Sequence, residues 1–196
     1  MKTVIKIIRF IILALSIITT VLLDGCTPFS ESITDKSAGM NGSFEHTKNG
    51  LPVNWLLYTP KTVGTGDFDI IIDTTEFKDG KQSLKFLVRK CSAVGSWHSP
   101  GLDQEYDANP GETYNVSFWV KNIGSEFIVH ISGVSAFKGQ DGPVERSKDT
   151  ITTWRLFEYK YTIPPKMERL RFEMNILHPG SFWIDDIRIE KINDNK

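Results

Sequence analysis

From Asn41 onward, short runs of β-branched and aromatic residues in period-two alternation are separated by clusters of Gly, Pro, Asn and Asp, and no long run carries helical spacing. That pattern predicts an all-β sandwich of short strands. The expected strands are Phe68 to Asp73, Ser83 to Arg89, Thr113 to Lys121, Glu126 to Ser132, Trp154 to Thr162, Glu168 to Leu177 and Ser181 to Lys191. Turns are expected at Lys78 to Lys81, Asn109 to Glu112, Asn122 to Ser125, Gly139 to Pro143 and His178 to Gly180, where residues suited to tight backbone geometry gather. With no internal repeat, the simplest division is one domain over residues 40–193 and a tail at 194–196.

Within each strand the alternation separates two faces. In Tyr114 to Lys121, Tyr114, Val116, Phe118 and Val120 share one face, and Asn115, Ser117, Trp119 and Lys121 the other. Phe127, Val129 and Ile131 oppose Ile128, His130 and Ser132, and Leu170, Phe172, Met174 and Ile176 oppose Arg171, Glu173 and Asn175. Several strands therefore have a mixed face. An aromatic ring beside hydrogen-bonding groups can hold a ligand that has both apolar and polar surface, so Trp119 is the foremost contact candidate, with Asn115, Lys121, His130, Arg171, Glu173 and Asn175 as polar partners. Trp97 and His98, in the Gly- and Ser-rich stretch from Ala93 to Gly101 that precedes a strand, form a second candidate at a loop rim. The competing reading is that this mixed face is solvated surface, with Trp119 covered by the chain between Gly139 and Lys148.

The last strand carries an unusual feature. Asp185 and Asp186 lie among Phe182, Trp183, Ile184, Ile187 and Ile189, and carboxylates in an apolar layer are costly unless paired, hydrogen-bonded or bound to a cation. Glu45 follows a turn-like Asn41-Gly42 at the other end of the domain, and pairing of the first and last strands would bring these acids together.

The N-terminus adds a targeting expectation. Lys2, Lys6 and Arg9 precede the apolar run from Phe10 to Leu23, which is shorter than the roughly eighteen residues of a spanning helix. The end of that run, Leu23-Asp24-Gly25-Cys26, resembles a bacterial lipoprotein lipobox, although Asp24 departs from the usual small or apolar residue before the Gly. The resemblance implies a signal peptide over residues 1–25, lipidation of Cys26, and a domain in the cell envelope, lipid-anchored and extracytoplasmic (at the outer membrane if the cell is Gram-negative). The Ser- and Thr-rich residues 26–39 are expected to be a tether. Cys91 is then the one thiol left, a small space-filler with no disulfide partner.

Charge and motifs remove other classes. The formal net charge is −1, and the leader takes three basic residues against one acid, so the remainder is mildly acidic and gives no reason to expect nucleic acid as partner. His46, His98, His130 and His178 are scattered without H-E-x-x-H or zinc spacing. Adjacent strand residues cannot flank a glycosidic bond, and no Gly-x-Ser-x-Gly elbow is present. An enzyme is not expected.

Asn41 to Glu45, Gly50 to Trp55, Asp79 to Phe86, Asn109 to Tyr114 leading into Val116 to Lys121, Thr153-Trp154 and Phe182 to Ile187 follow one another as in carbohydrate-binding modules of the family 4, 9 and 22 group, which the chain resembles over nearly the whole domain. The resemblance implies a jelly-roll β-sandwich of two antiparallel sheets, galactose-binding-domain-like, that holds polysaccharide or oligosaccharide and often carries a structural calcium. Calcium suits the acids, because it takes six to eight hard oxygen ligands. Carried over residue by residue, Glu45 and Asp185 are the expected side-chain ligands, with Asp186 if the register turns it inward. The alternative is that the aspartates bond backbone amides. Trp55, Trp154 and Trp183 fall at framework positions and are expected in the core. The expected function is non-catalytic glycan binding by an anchored lipoprotein, serving a separate glycan-processing enzyme. The rival is a structural or protein-interaction lipoprotein that keeps the sandwich without a sugar cleft.

Overall fold

The computed structural model describes residues 31–135, 138–140 and 143–192. The expected signal peptide, Cys26 and the expected tail lie outside the described residues. The strands are β1 (Glu31–Ser32), β2 (Thr47–Lys48), β3 (Leu51–Pro52), β4 (Leu56–Tyr58), β5 (Asp67–Asp73), β6 (Ser83–Lys90), β7 (Gly101–Asp107), β8 (Thr113–Ile123), β9 (Phe127–Ser135), β10 (Lys138–Gln140), β11 (Pro143–Ser147), β12 (Ile151–Thr162), β13 (Arg169–Ile176) and β14 (Gly180–Lys191). Two single-turn 3-10 helices lie at Lys36–Ala38 and Ser96–His98.

Two antiparallel sheets result. A seven-stranded sheet runs β1-β4-β7-β13-β9-β10, with β11 also on β9, and a five-stranded sheet runs β12-β8-β14-β6-β5. All seven expected strands are present to within three residues at each end. The sheets bury their apolar faces against each other: Phe118, Val116 and Phe182 come from one and Phe172, Met174 and Phe127 from the other, all fully buried. Phe172 meets Phe118 edge-on at 5.4 Å and Trp55 at 6.1 Å between ring centres, the tilted geometry aromatic quadrupoles favour. This is the jelly-roll sandwich expected from the sequence.

The expected tether runs too far along the chain. β1 pairs with β4, and the turn that follows is tied to Asn54, whose Nδ2 donates to Asp35 O (2.6 Å) and Gly39 O (2.8 Å) while its Oδ1 accepts from Asp35 N (2.7 Å). Residues 31–39 are therefore part of the sandwich. Only the preceding residues, outside the described region, are left for a tether.

Two of the three tryptophans expected in the core need correction. Trp55 is fully buried there, but Trp154 is only half-buried. Trp183 is buried on the outer face of the five-stranded sheet, its Nε1 donating to Asp73 (2.9 Å) and Lys85 and Lys121 lying over its ring. Cys91 is half-buried against the core, and burial pushes its thiol up to about 11. A protonated thiol suits the expected space-filling role.

Candidate functional site: two outer faces

The candidate ligand residues divide between the two outer faces. Asn115, Trp119 and Lys121 lie on β8 of the five-stranded sheet, whereas His130, Arg171, Glu173 and Asn175 lie on β9 and β13 of the seven-stranded one. The joint cleft expected of them does not exist, and each face has to be judged separately.

On the five-stranded side, the chain from Asp73 to Lys81 lies across the sheet. Lys78 Nζ sits 4.0 Å from the centre of the Trp119 ring, occupying a face a sugar would need. Lys121 Nζ is engaged by Glu76 at 2.7 Å. Trp119 is half-buried, with Lys78 of this segment, and not the chain from Gly139 to Lys148, over its ring, and it lines a groove of about 500 Å³ with Ser117, Glu158 and Arg188.

The segment is fixed by Asp185. Asp185 is fully buried; its Oδ2 accepts from the amides of Lys78 (2.6 Å) and Asp79 (2.9 Å), and its Oδ1 from that of Asp186 (2.7 Å). Burial outweighs these bonds and pushes the carboxyl up to about 6. A bulge at this point turns Asp186 to φ 48° and directs it to Arg188, at 2.7 and 3.0 Å. Glu45 reaches the same turn, with Oε1 accepting from Lys81 N (2.8 Å) and Gln82 N (3.2 Å). First and last segments do meet here: Ile187 N donates to Gly42 O (3.1 Å), and a Cβ on Gly42 would stand 1.9 Å from Ile187 O. As metal ligands the three acids fare unequally. Asp185 is committed to amides and Asp186 to a guanidinium, so Glu45 is the one whose bonds all fall on a single oxygen. Among the described residues no group of three His, Cys, Asp or Glu is arranged to hold a metal.

The seven-stranded face is organised differently. The register places Leu56, Asp103, Glu173 and His130 in one row across β4, β7, β13 and β9, and Glu105, Arg171 and Ser132 in the next. Their inward neighbours Leu170, Phe172 and Met174 are fully buried, so this row faces out. Over it lies a groove of about 720 Å³, walled by Ser32 and Lys36 and floored by Leu56, Asp103, Glu105 and Arg171. The residues 31–39 that were expected to be tether are thus one wall of it. Tyr58 Oη lies 2.9 Å from Asp103 Oδ2 and 3.2 Å from Glu173 Oε1. Burial, reinforced by Glu173, pushes the Asp103 carboxyl up to about 6 despite the Tyr58 bond. Arg171 Nε donates to Glu105 (2.9 Å), which Arg169 also engages.

A lip rises at the end of this face. The Asn175 side chain clasps Ser96, with Oδ1 accepting from Ser96 N (2.8 Å) and Nδ2 donating to Ser96 O (3.1 Å). Gly95 at φ 85° supplies a left-handed turn, and Ser99 Oγ bonds Gly95 N and Ser92 O at 3.0 and 2.6 Å. The lip presents Trp97, 43% exposed, with the His98 ring centred 3.5 Å from its own. Asn175 is consequently not the ligand contact the sequence suggested; it is buried and holds the loop. Tyr58, Asp103 and Glu105 escaped the sequence reading. β7 was not among the enumerated strands because its inward positions, Leu102, Gln104 and Tyr106, include a polar residue; three acids alternating at 103, 105 and 107 were the available signal.

The fold is that of a known family. Residues 36–180 match the family model described as Carbohydrate binding domain, that of modules 4 and 9, and the chain belongs to that family. Among solved structures, the CBM22-1 xylan-binding domain from Paenibacillus barcinonensis Xyn10C is 16% identical, with 78% of this chain and 92% of that one covered and a TM-score of 0.56. The C-terminal family 22 carbohydrate binding module of Clostridium thermocellum Xyn10B is 16% identical over 76% and 91%, TM-score 0.55. Tailspike protein 4 of bacteriophage CBA120 is 19% identical over 78% of this chain and 21% of its own, TM-score 0.54. No curated protein matches.

Proposed function

We propose that this protein is a non-catalytic glycan-binding module, anchored in the bacterial envelope through a lipid on Cys26, and that the glycan lies along the outer face of the seven-stranded sheet. Two features of this face carry the reading: the groove, whose floor residues Glu105 and Arg171 hold one another, and the exposed Trp97-His98 pair on the loop that Asn175 of the same face clasps. Ring stacking with convergent hydrogen-bonding groups is how apolar and hydroxyl surfaces of one sugar are satisfied together. A lipid tether before residue 31 would hold such a module, and any polysaccharide on it, near a separate glycan-processing enzyme.

The test is affinity electrophoresis of the mature chain against a broad polysaccharide panel. Xylan belongs in it, since the Paenibacillus barcinonensis domain is named as xylan-binding. Retarded migration in at least one polysaccharide is expected. If the folded protein binds none and instead co-purifies with another protein, the groove belongs to a protein partner.

Structural calcium stays within the proposal, with a reduced set of donors. Glu45 would supply the carboxylate and backbone carbonyls near residues 42–43 and 79–81 the other oxygens, where a hard cation would brace the turn. A ligand that binds only the folded state raises its stability. Chelation is therefore expected to lower the melting temperature of the wild type and leave that of Glu45→Ala unmoved; equal melting of the wild type with and without chelator would remove calcium from the account.

A further inference from the structure

The strand register fixes the end of the sandwich at which the N-terminal chain enters. β1 begins at Glu31, opposite Leu57 of β4, which is itself opposite Leu102 of β7. The lip loop joins the sheet at Gly101, one residue before. The next residue of β1, Ser32, is opposite Leu56 and one step farther from the lip, so β1 runs away from that end and the chain before it comes from there. At the same end the turn from Ile123 to Phe127 connects the two sheets. It is tied to the close of β13, with Leu177 N donating to Glu126 O (2.8 Å) and Ser125 Oγ to His178 O (3.1 Å).

This end carries exposed aliphatic side chains that have no part in the groove. Val94, on the lip loop, is 76% exposed, and Ile123, which closes β8 on the outer side of the five-stranded sheet, is 47% exposed. Lys90, at the end of β6, and Lys148, just before β12, are exposed there too. Isolated apolar residues on a surface need no explanation, but the short chain to Cys26 gives these one. Cys26 is five residues before Glu31, a reach of at most about 18 Å, while β13 alone carries the opposite end about 23 Å farther off.

Resting on the lipid anchor proposed above, we infer that the lip end of the domain docks on the bilayer that holds the lipid, with Val94 and Ile123 in its interfacial region and Lys90 and Lys148 at the level of the lipid phosphates. Two aliphatic side chains are too little to bring a soluble protein to a membrane. An anchor makes their contact intramolecular and raises its effective concentration to the order of millimolar. Because Val94 lies on the seven-stranded side and Ile123 on the five-stranded side, contact at both seats the end flat. The strands then rise from the bilayer, and the groove over β4, β7 and β13 stays open at the side.

The experiment uses the acylated chain in vesicles of phosphatidylethanolamine and phosphatidylglycerol. A polarity-sensitive fluorophore is placed on Val94→Cys, on Ile123→Cys or, at the far end, on Glu168→Cys, each in a Cys91→Ser background. Relative to the same labelled mature chain carrying no lipid, a blue shift of emission is expected at positions 94 and 123 and none at 168. A shift at 168 alone, or none at any position while the protein floats with the vesicles, overturns the docking and leaves the anchor standing. Mass spectrometry of the wild-type chain that finds no acyl group on Cys26 overturns both.

Discussion

Asp185→Ala is expected to lower the unfolding free energy by roughly 2 to 4 kcal/mol, because it strips the part-buried amides of Lys78 and Asp79 and the buried amide of Asp186 of their acceptor at once, and a buried unpaired donor costs about 1 to 3 kcal/mol. Urea unfolding at constant pH reads the loss directly. The effect has a pH signature. The folded carboxyl titrates near 6 against an ordinary 3.8, so the folded state holds the extra proton between those values. The wild type's advantage over alanine is therefore greatest below the lower value and shrinks as pH rises through about 6. A change below about 1 kcal/mol, or an advantage that grows with pH across that window, would mean that the turn at residues 78–79 does not depend on this carboxylate.

Asn175→Ala should combine a structural and a binding loss. It removes both side-chain bonds to Ser96 and leaves that residue's amide unpaired beside a small cavity, while its carbonyl still accepts from Ser99 N (3.0 Å), for roughly 1 to 3 kcal/mol in stability. Because Ser96 at φ 50° sets the direction of Trp97, glycan affinity should fall about tenfold as well, through lost pre-organisation of the lip. The two losses are separable. At a temperature where the variant is fully folded, an affinity equal to the wild type's would show that Asn175 has no part in aiming the lip, whereas Asn175→Asp, which keeps an acceptor for Ser96 N, should recover part of the binding.

Much of the architecture was legible because a sandwich strand has one buried face, and burial imposes the period-two pattern seen in Tyr114 to Val120 and Leu170 to Ile176. The acids of the closing strand were legible for a related reason: charge among Phe182, Trp183 and Ile184 demanded a partner, and backbone amides and Arg188 are the partners it found. Alternation says which residues of one strand share a face, however, and nothing about which sheet the strand joins. β8 and β13 have similar mixed faces, yet β8 lies between β12 and β14 while β13 lies between β7 and β9. A set drawn from both strands therefore spans two surfaces on opposite sides of the molecule. The groove wall was missed on other grounds. Residues 31–39 have no apolar periodicity, and they are ordered by the pairing of β1 with β4 and by the polar bonds of the distant Asn54, long-range terms that no local window contains.

The claim that glycan lies on the seven-stranded face rests on Trp97 and not on Trp119. It is tested most directly by affinity electrophoresis of wild type, Trp97→Ala and Trp119→Ala in gels containing the polysaccharide that retards the wild type. Loss of a partly exposed stacking aromatic is worth roughly 1.5 to 3 kcal/mol, or about ten- to 150-fold in affinity. The account predicts that retardation by Trp97→Ala is nearly abolished and that Trp119→Ala migrates like the wild type. Retardation lost in Trp119→Ala and kept in Trp97→Ala would place the ligand on the five-stranded sheet and contradict it.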